Sequence, residues 1–215
     1  MANASPSFQN PPRDCALCPR LAKFRDQNRT TFPDKFNAPV PAFGDPGAGL
    51  LIVGLAPGLR GANFSGRPFT GDWAGDLLYK TLLDFGFARG TYGARADDGL
   101  ELVDCRITNA VRCVPPENKP TGPEIKQCGA FLRDELAAMS NLKVILSLGK
   151  ISHDAVLRTC GETLSAHPFA HGAVHRMAGI TLLDSYHCSR YNTNTGRLTE
   201  AMFRAVFEKI RDIAR

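Results

Sequence analysis

Two sets of residues in the chain have types and spacings suited to chemistry. Cys15 and Cys18 form C-x2-C, and Cys113 and Cys128 flank a proline-rich segment. Four thiolates so grouped can close a tetrahedral zinc site or hold an iron–sulfur cluster; spacing does not choose between the metals, and four incidental buried cysteines remain an alternative. Cys105, Cys160 and Cys188 read as ordinary thiols. The second set begins in GLAPGLRGANFSGRPFTGD, Gly54 to Asp72, whose five glycines and two prolines let a backbone turn tightly and approach a ligand. It lacks both the G-K-[ST] of a P-loop and the G-x-G-x-x-G fingerprint. Within it, Asp72 could activate water or cap a helix beginning near Trp73, and Phe69 could stack on a planar ring or belong to the core. Farther on, His187 follows an apolar strand. Ser189, Asn192, Asn194, Thr195 and Arg197 beyond it are suited to phosphate contacts. His153, His167, His171 and His175 show no interpretable spacing and are read as non-catalytic.

Positioning these residues requires a scaffold. Four short apolar runs, Leu50 to Gly54, Cys105 to Ala110, Lys143 to Leu148 and Ile180 to Ser185, read as buried strands. Helical segments follow at Gly75 to Phe85, Glu124 to Ala138, Ser152 to Arg158 and Leu198 to Ile213. The last aligns Leu198, Met202, Val206, Ile210 and Ile213 on one stripe. This alternation predicts an α/β fold, a three-layer α/β/α sandwich around a four-stranded parallel sheet. Segment 88–99 reads as an exposed loop, and the four prolines of 114–123 exclude helix interior and central strand there. Ligands of such sheets bind beyond the carboxyl ends of the strands. Gly54 to Asp72, Asn109, Gly149 and the segment from His187 to Arg197 all fall on that edge.

The 215 residues suit one domain, here 15–215, after a loose stretch at 1–14. Hydrophobic residues at 43% and charged residues at 22% describe a globular chain rather than a disordered or membrane one. The longest apolar run is too short to span a bilayer, and the polar, proline-rich start lacks a secretory signal, so a cytoplasmic protein is expected. A net charge of +5 leans toward polyanionic partners.

Assembled in order, C-x2-C, GLAPGLRGANFSGRPFTGD, TNAVRC (108–113), Cys128 and HCSRYNTNTGRLT (187–199) resemble the family 5 uracil-DNA glycosylases, the iron–sulfur type b branch, from about Cys15 to Thr199. The resemblance implies the superfamily sandwich and a 4Fe-4S cluster on Cys15, Cys18, Cys113 and Cys128. It implies a base pocket of Gly54, Leu55, Ala56, Phe69, Asn109 and His187, with Asp72, Asn109 and His187 catalytic. Related families carry a polar or acidic residue where this chain has Leu55 or Ala56, so Asp72 becomes the carried-over acid. Ser189, Arg190, Asn192, Asn194 and Arg197 would contact DNA. Cys188 departs from the family, which usually has proline there; the exchange loosens the histidine loop and adds a thiol near DNA.

The implied activity is hydrolysis of the N-glycosidic bond of uracil, and of other deaminated bases such as hypoxanthine and xanthine, in DNA, by a monomer of the cytoplasm or nucleoid. Two other classes of reading remain. A damage-binding module that captures a base without turnover is disfavoured by Asn109 and His187. A nucleotide hydrolase using the glycine loop is disfavoured because Asp72 is the only carboxylate in that segment.

Overall fold

The computed structural model describes residues 8–214. Its elements are α1 (Pro19–Thr31), β1 (Leu50–Gly54), α2 (Ala62–Ser65), α3 (Trp73–Asp84), β2 (Ala88–Arg89), β3 (Glu101–Leu102), β4 (Cys105–Asn109), α4 (Gly122–Ala138), β5 (Val144–Leu148), α5 (Lys150–Cys160), β6 (Val174–Met177), β7 (Ile180–Ser185), α6 (Arg190–Asn194) and α7 (Glu200–Ala214). The main sheet runs β4-β1-β5-β7-β6. Its first four strands are parallel and coincide with the four apolar runs. The expected four-stranded sheet is corrected to five by β6, which pairs antiparallel with β7 at the edge. Its sequence VHRM offers no continuous apolar run, because only one of its faces meets the body.

The sandwich follows from alternation along the strands. Leu50 and Ile52 of β1 face a core shared with Leu78 and Leu82 of α3 and Phe203, Val206 and Phe207 of α7. Leu51 and Val53 face the opposite core, with Leu132 of α4 and Val156 and Leu157 of α5. Every residue of β1, β4 and β5 is buried, as parallel strands covered on both sides must be. The proline-rich stretch leads into α4, where Thr121 and Glu124 form a capping box and Pro123 occupies the first turn. Among the described residues, no helix is long and apolar enough to cross a membrane.

Two local expectations change. Of the stretch 1–14, residues 1–7 lie outside the described residues. Residues 8–14 lie on the body: Asn10 Oδ1 accepts from the Ala42 amide at 3.0 Å, and the Phe8 ring packs beneath the Arg106 guanidinium. Segment 88–99 is largely exposed but folds back at two points. Tyr92 stacks on Tyr79 with ring centroids 4.6 Å apart, and Asp98 forms a buried bidentate pair with Arg67 at 2.8 and 2.7 Å.

Candidate functional site

The segments leaving β1, β4 and β7, with the start of α3, wall one cavity of about 630 Å³ at the carboxyl edge of the sheet. Leu55, Ala56, Phe69, Asp72, Asn109, His187, Ser189 and Arg190 line it. Gly54 stands just behind: it pairs in register with Asn109, and a side chain there would overlap Asn109 Oδ1 and the Phe69 ring. Asn109 is thus placed by the end of a buried strand, with the glycine leaving room for its amide.

Phe69 reaches the cavity through a left-handed backbone, φ 53°, that a bulky residue adopts only when its surroundings impose it. Those surroundings are dense. Tyr79 Oη donates to the Pro68 carbonyl at 2.6 Å, Arg67 Nε donates to Thr70 Oγ1 at 2.7 Å, and Ser65 Oγ donates to the Thr70 carbonyl at 3.0 Å. The Arg67 guanidinium lies between the rings of Phe43, Tyr79 and Tyr92 and is pinned by Asp98. The Arg67 guanidinium in turn holds the Asp98 carboxyl well below the usual range. This buried pair fixes the aromatic wall.

His187 faces Phe69 with ring centroids 5.9 Å apart and planes inclined by 29°. It is half-buried, and desolvation pushes its pKa down to about 4, leaving a neutral ring at pH 7. Its loop is held without the usual proline. Asn192 Nδ2 donates to the His187 carbonyl at 2.8 Å, and Cys188 Sγ reaches the Ala74 carbonyl at 3.4 Å. Cys188 is fully buried, between the cavity-lining residues His187 and Ser189. Asp72 both lines the cavity and caps α3, its Oδ1 accepting from the Gly75 amide at 3.3 Å. Burial raises its carboxyl above the ordinary value.

At the rim, the Arg190 guanidinium sits 5.2 Å above the half-exposed Trp73 ring, whose Nε1 donates to Thr193 Oγ1. Ser189 caps α6. The Asn192 amide turns inward to the histidine loop; Asn194 is exposed, and Arg197 packs over the Tyr186 ring at 4.6 Å, neither lining the cavity. Trp73, Arg60 and Asn118 also line it and were not singled out from sequence. Asn118 comes from the Pro116–Asn118 turn, where Glu117 and Asn118 are both left-handed. Its place beyond the carboxyl end of β4 was the available signal.

Cys15, Cys18, Cys113 and Cys128 line a second, small pocket with Pro11, Leu17, Leu21 and Phe131. The backbone amide of Arg112 donates to Cys128 Sγ at 3.4 Å. Burial, reinforced by neighbouring thiols, pushes Cys18 up to about 11 and Cys113 up to about 12. Arg112 also lines this pocket, and Arg25 donates to the Cys15 carbonyl at 2.8 Å. Arg112 Nε and Nη1 and Arg25 Nε are buried with no hydrogen-bond partner. Buried cations with spare donors beside four thiols suit an anionic group, so the residues fit a thiolate-ligated cluster.

A family model described as the uracil DNA glycosylase superfamily matches residues 41–211. The chain is 43% identical to a type-5 uracil-DNA glycosylase of Thermus thermophilus, over 93% of this chain and 94% of that one. It is 41% identical to a type-5 enzyme of Pyrobaculum aerophilum, over 89% and 85% respectively. A type-4 uracil-DNA glycosylase of the same archaeon is 32% identical over 81% and 78%.

Proposed function

Since the chain belongs to the uracil-DNA glycosylase superfamily, we propose that its edge cavity is where uracil is hydrolysed from DNA, the first step of a repair reaction. The observation that carries this reading is the convergence of Phe69, Asn109, His187 and Asp72 on one cavity.

A paired base hides its glycosidic bond, so the nucleotide is extruded at a cost of a few kcal/mol, less for a mispaired uracil. Phe69 offers its face to the extruded ring. The Asn109 amide, at once donor and acceptor, reads the ring edge. Bond cleavage leaves positive charge on the sugar and negative charge on the departing base. The neutral His187 ring donates an N–H to the base oxygen; removing one such preorganised donor costs about 2.7–4 kcal/mol in other enzymes. Asp72, as a carboxylate, stabilises the cationic sugar or orients the attacking water. Ser189 and Arg190 at the rim, with Asn194 and Arg197 farther along the loop, meet the phosphates, while Asn192 acts by holding the histidine loop.

The cavity's apolar Leu55–Ala56 wall imposes no polar pattern of its own, which supports hypoxanthine and xanthine as further substrates. Alkaline cleavage of labelled oligonucleotides carrying one uracil, hypoxanthine or xanthine tests this. Breakage at all three supports the wider range, and breakage at uracil alone restricts it.

Cys15, Cys18, Cys113 and Cys128 are proposed to hold a 4Fe-4S cluster. When bound, the cluster would tie α1 to the start of α4 and the 113–128 segment bearing Asn118; N-glycosidic hydrolysis transfers no net electrons, so its role is architectural.

A further inference from the structure

The histidines that carried no readable spacing converge in space. His153 of α5, His175 of β6 and Asp184 of β7 bring ligand atoms within 4.8 Å of one another, away from both pockets. We propose that they form a binding site for a zinc-class divalent cation, bracing the strand that leads to His187.

Hydrogen-bond accounting supports this. His153 Nε2 lies 2.9 Å from the His167 carbonyl oxygen, which can only accept, so Nε2 carries the proton. In the neutral ring, Nδ1 then presents a lone pair, and it points at Asp184 Oδ1 from 2.7 Å. Two acceptors in such contact need either a second proton on the ring or a metal ion between them. A ring N–H anchored on a carbonyl is also the usual outer partner of a metal-binding histidine, since it fixes the tautomer. Ser147 Oγ donates to the same Asp184 oxygen at 2.7 Å, the hydrogen bond expected of a ligating carboxylate. On the other side, His175 Nε2 lies 3.0 Å from Asp184 Oδ2.

Asp184 is fully buried, and among the described residues no lysine or arginine pairs with it. Its charge must be balanced by a proton on one of the two imidazoles or by a metal ion between them. Two imidazoles and a carboxylate select zinc or a neighbouring first-row ion over calcium or magnesium. Coordination would widen the nitrogen–oxygen separations to about 3.3 Å, given ligand bonds of about 2.0–2.2 Å. The edge strand β6, paired on one side only, can accommodate that shift. The His167 ring, 5.5 Å from that of His175 and partly exposed, or a water, completes the set and marks the way in.

Cobalt(II) titration of the purified protein, with its cysteine-bound iron left in place, tests the site, because the visible spectrum reports ligand type. The expected result is one cobalt per chain with nitrogen–oxygen d–d absorption, no thiolate charge-transfer band, and displacement by zinc. His175→Ala, at the edge, and the near-isosteric Asp184→Asn should each weaken binding at least tenfold. Zinc should raise the melting temperature of the wild type but not of His175→Ala. Equal uptake by the variants, no uptake at all, or binding seen only with a thiolate band would overturn the proposal, leaving a proton between His153 and Asp184. His175→Ala keeps the test decisive if Asp184→Asn fails to fold.

Discussion

Gly54 and Asn109 are in-register partners on neighbouring parallel strands, and the asparagine amide occupies the space that a Cβ on the glycine would need. Gly54→Ala should therefore displace the Asn109 amide and the Phe69 ring together. Single-turnover uracil excision is expected to fall by more than tenfold, with the melting temperature lowered by no more than a few degrees. A normal rate would show that the amide position is not critical.

His187 carries a pH signature. Its folded pKa of about 4 lies below the ordinary 6.5, so its contribution to stability is complete above about pH 6.5 and is lost as pH falls toward 4. Urea unfolding of wild type and His187→Asn across this range should show a smaller acid loss in the variant, which has nothing to titrate. Excision by wild type should show no loss from His187 protonation between pH 6 and pH 8. A histidine-like inflection within that window would contradict a neutral donor.

Asp72 serves two purposes that one substitution can separate. Asparagine caps a helix about as well as aspartate, whereas alanine forfeits about 1 kcal/mol. Asp72→Asn should keep the melting temperature and lose rate, while Asp72→Ala loses both. Because burial raises the carboxyl and the reaction uses the anion, the rate should climb with pH through this titration. An unchanged rate in Asp72→Asn would leave the residue as a cap alone.

The cysteine site predicts about four irons per chain for a 4Fe-4S cluster. Cys113→Ser should lose iron and the brown absorption, with excision falling as the segment bearing Asn118 loosens. Stoichiometric zinc with no iron in anaerobically purified protein would contradict the cluster.

The four parallel strands were legible because burial on both faces demands apolar runs, and α7 because its stripe is continuous. Helix α1 was not legible: its buried positions are Leu21, Arg25 and Asn28, two of them polar, so no apolar stripe marks its inner face. Strand β6 hides for the related reason that an edge strand alternates burial over only four residues. Within the cavity, Phe69 and His187 could be placed by the edge rule, but the support of Phe69 by Arg67 and Asp98 spans thirty-one residues and leaves no local pattern. The cluster of His153, His175 and Asp184 is likewise a product of three elements meeting.

The most direct test pairs rate with affinity on one substrate, a duplex bearing a single uracil opposite guanine. Asn109→Ala and His187→Ala should bind this DNA within severalfold of wild type and keep the wild-type melting temperature, while single-turnover excision falls more than tenfold in each. Excision by both variants at the wild-type rate would contradict the assignment of the cavity as the site of base removal.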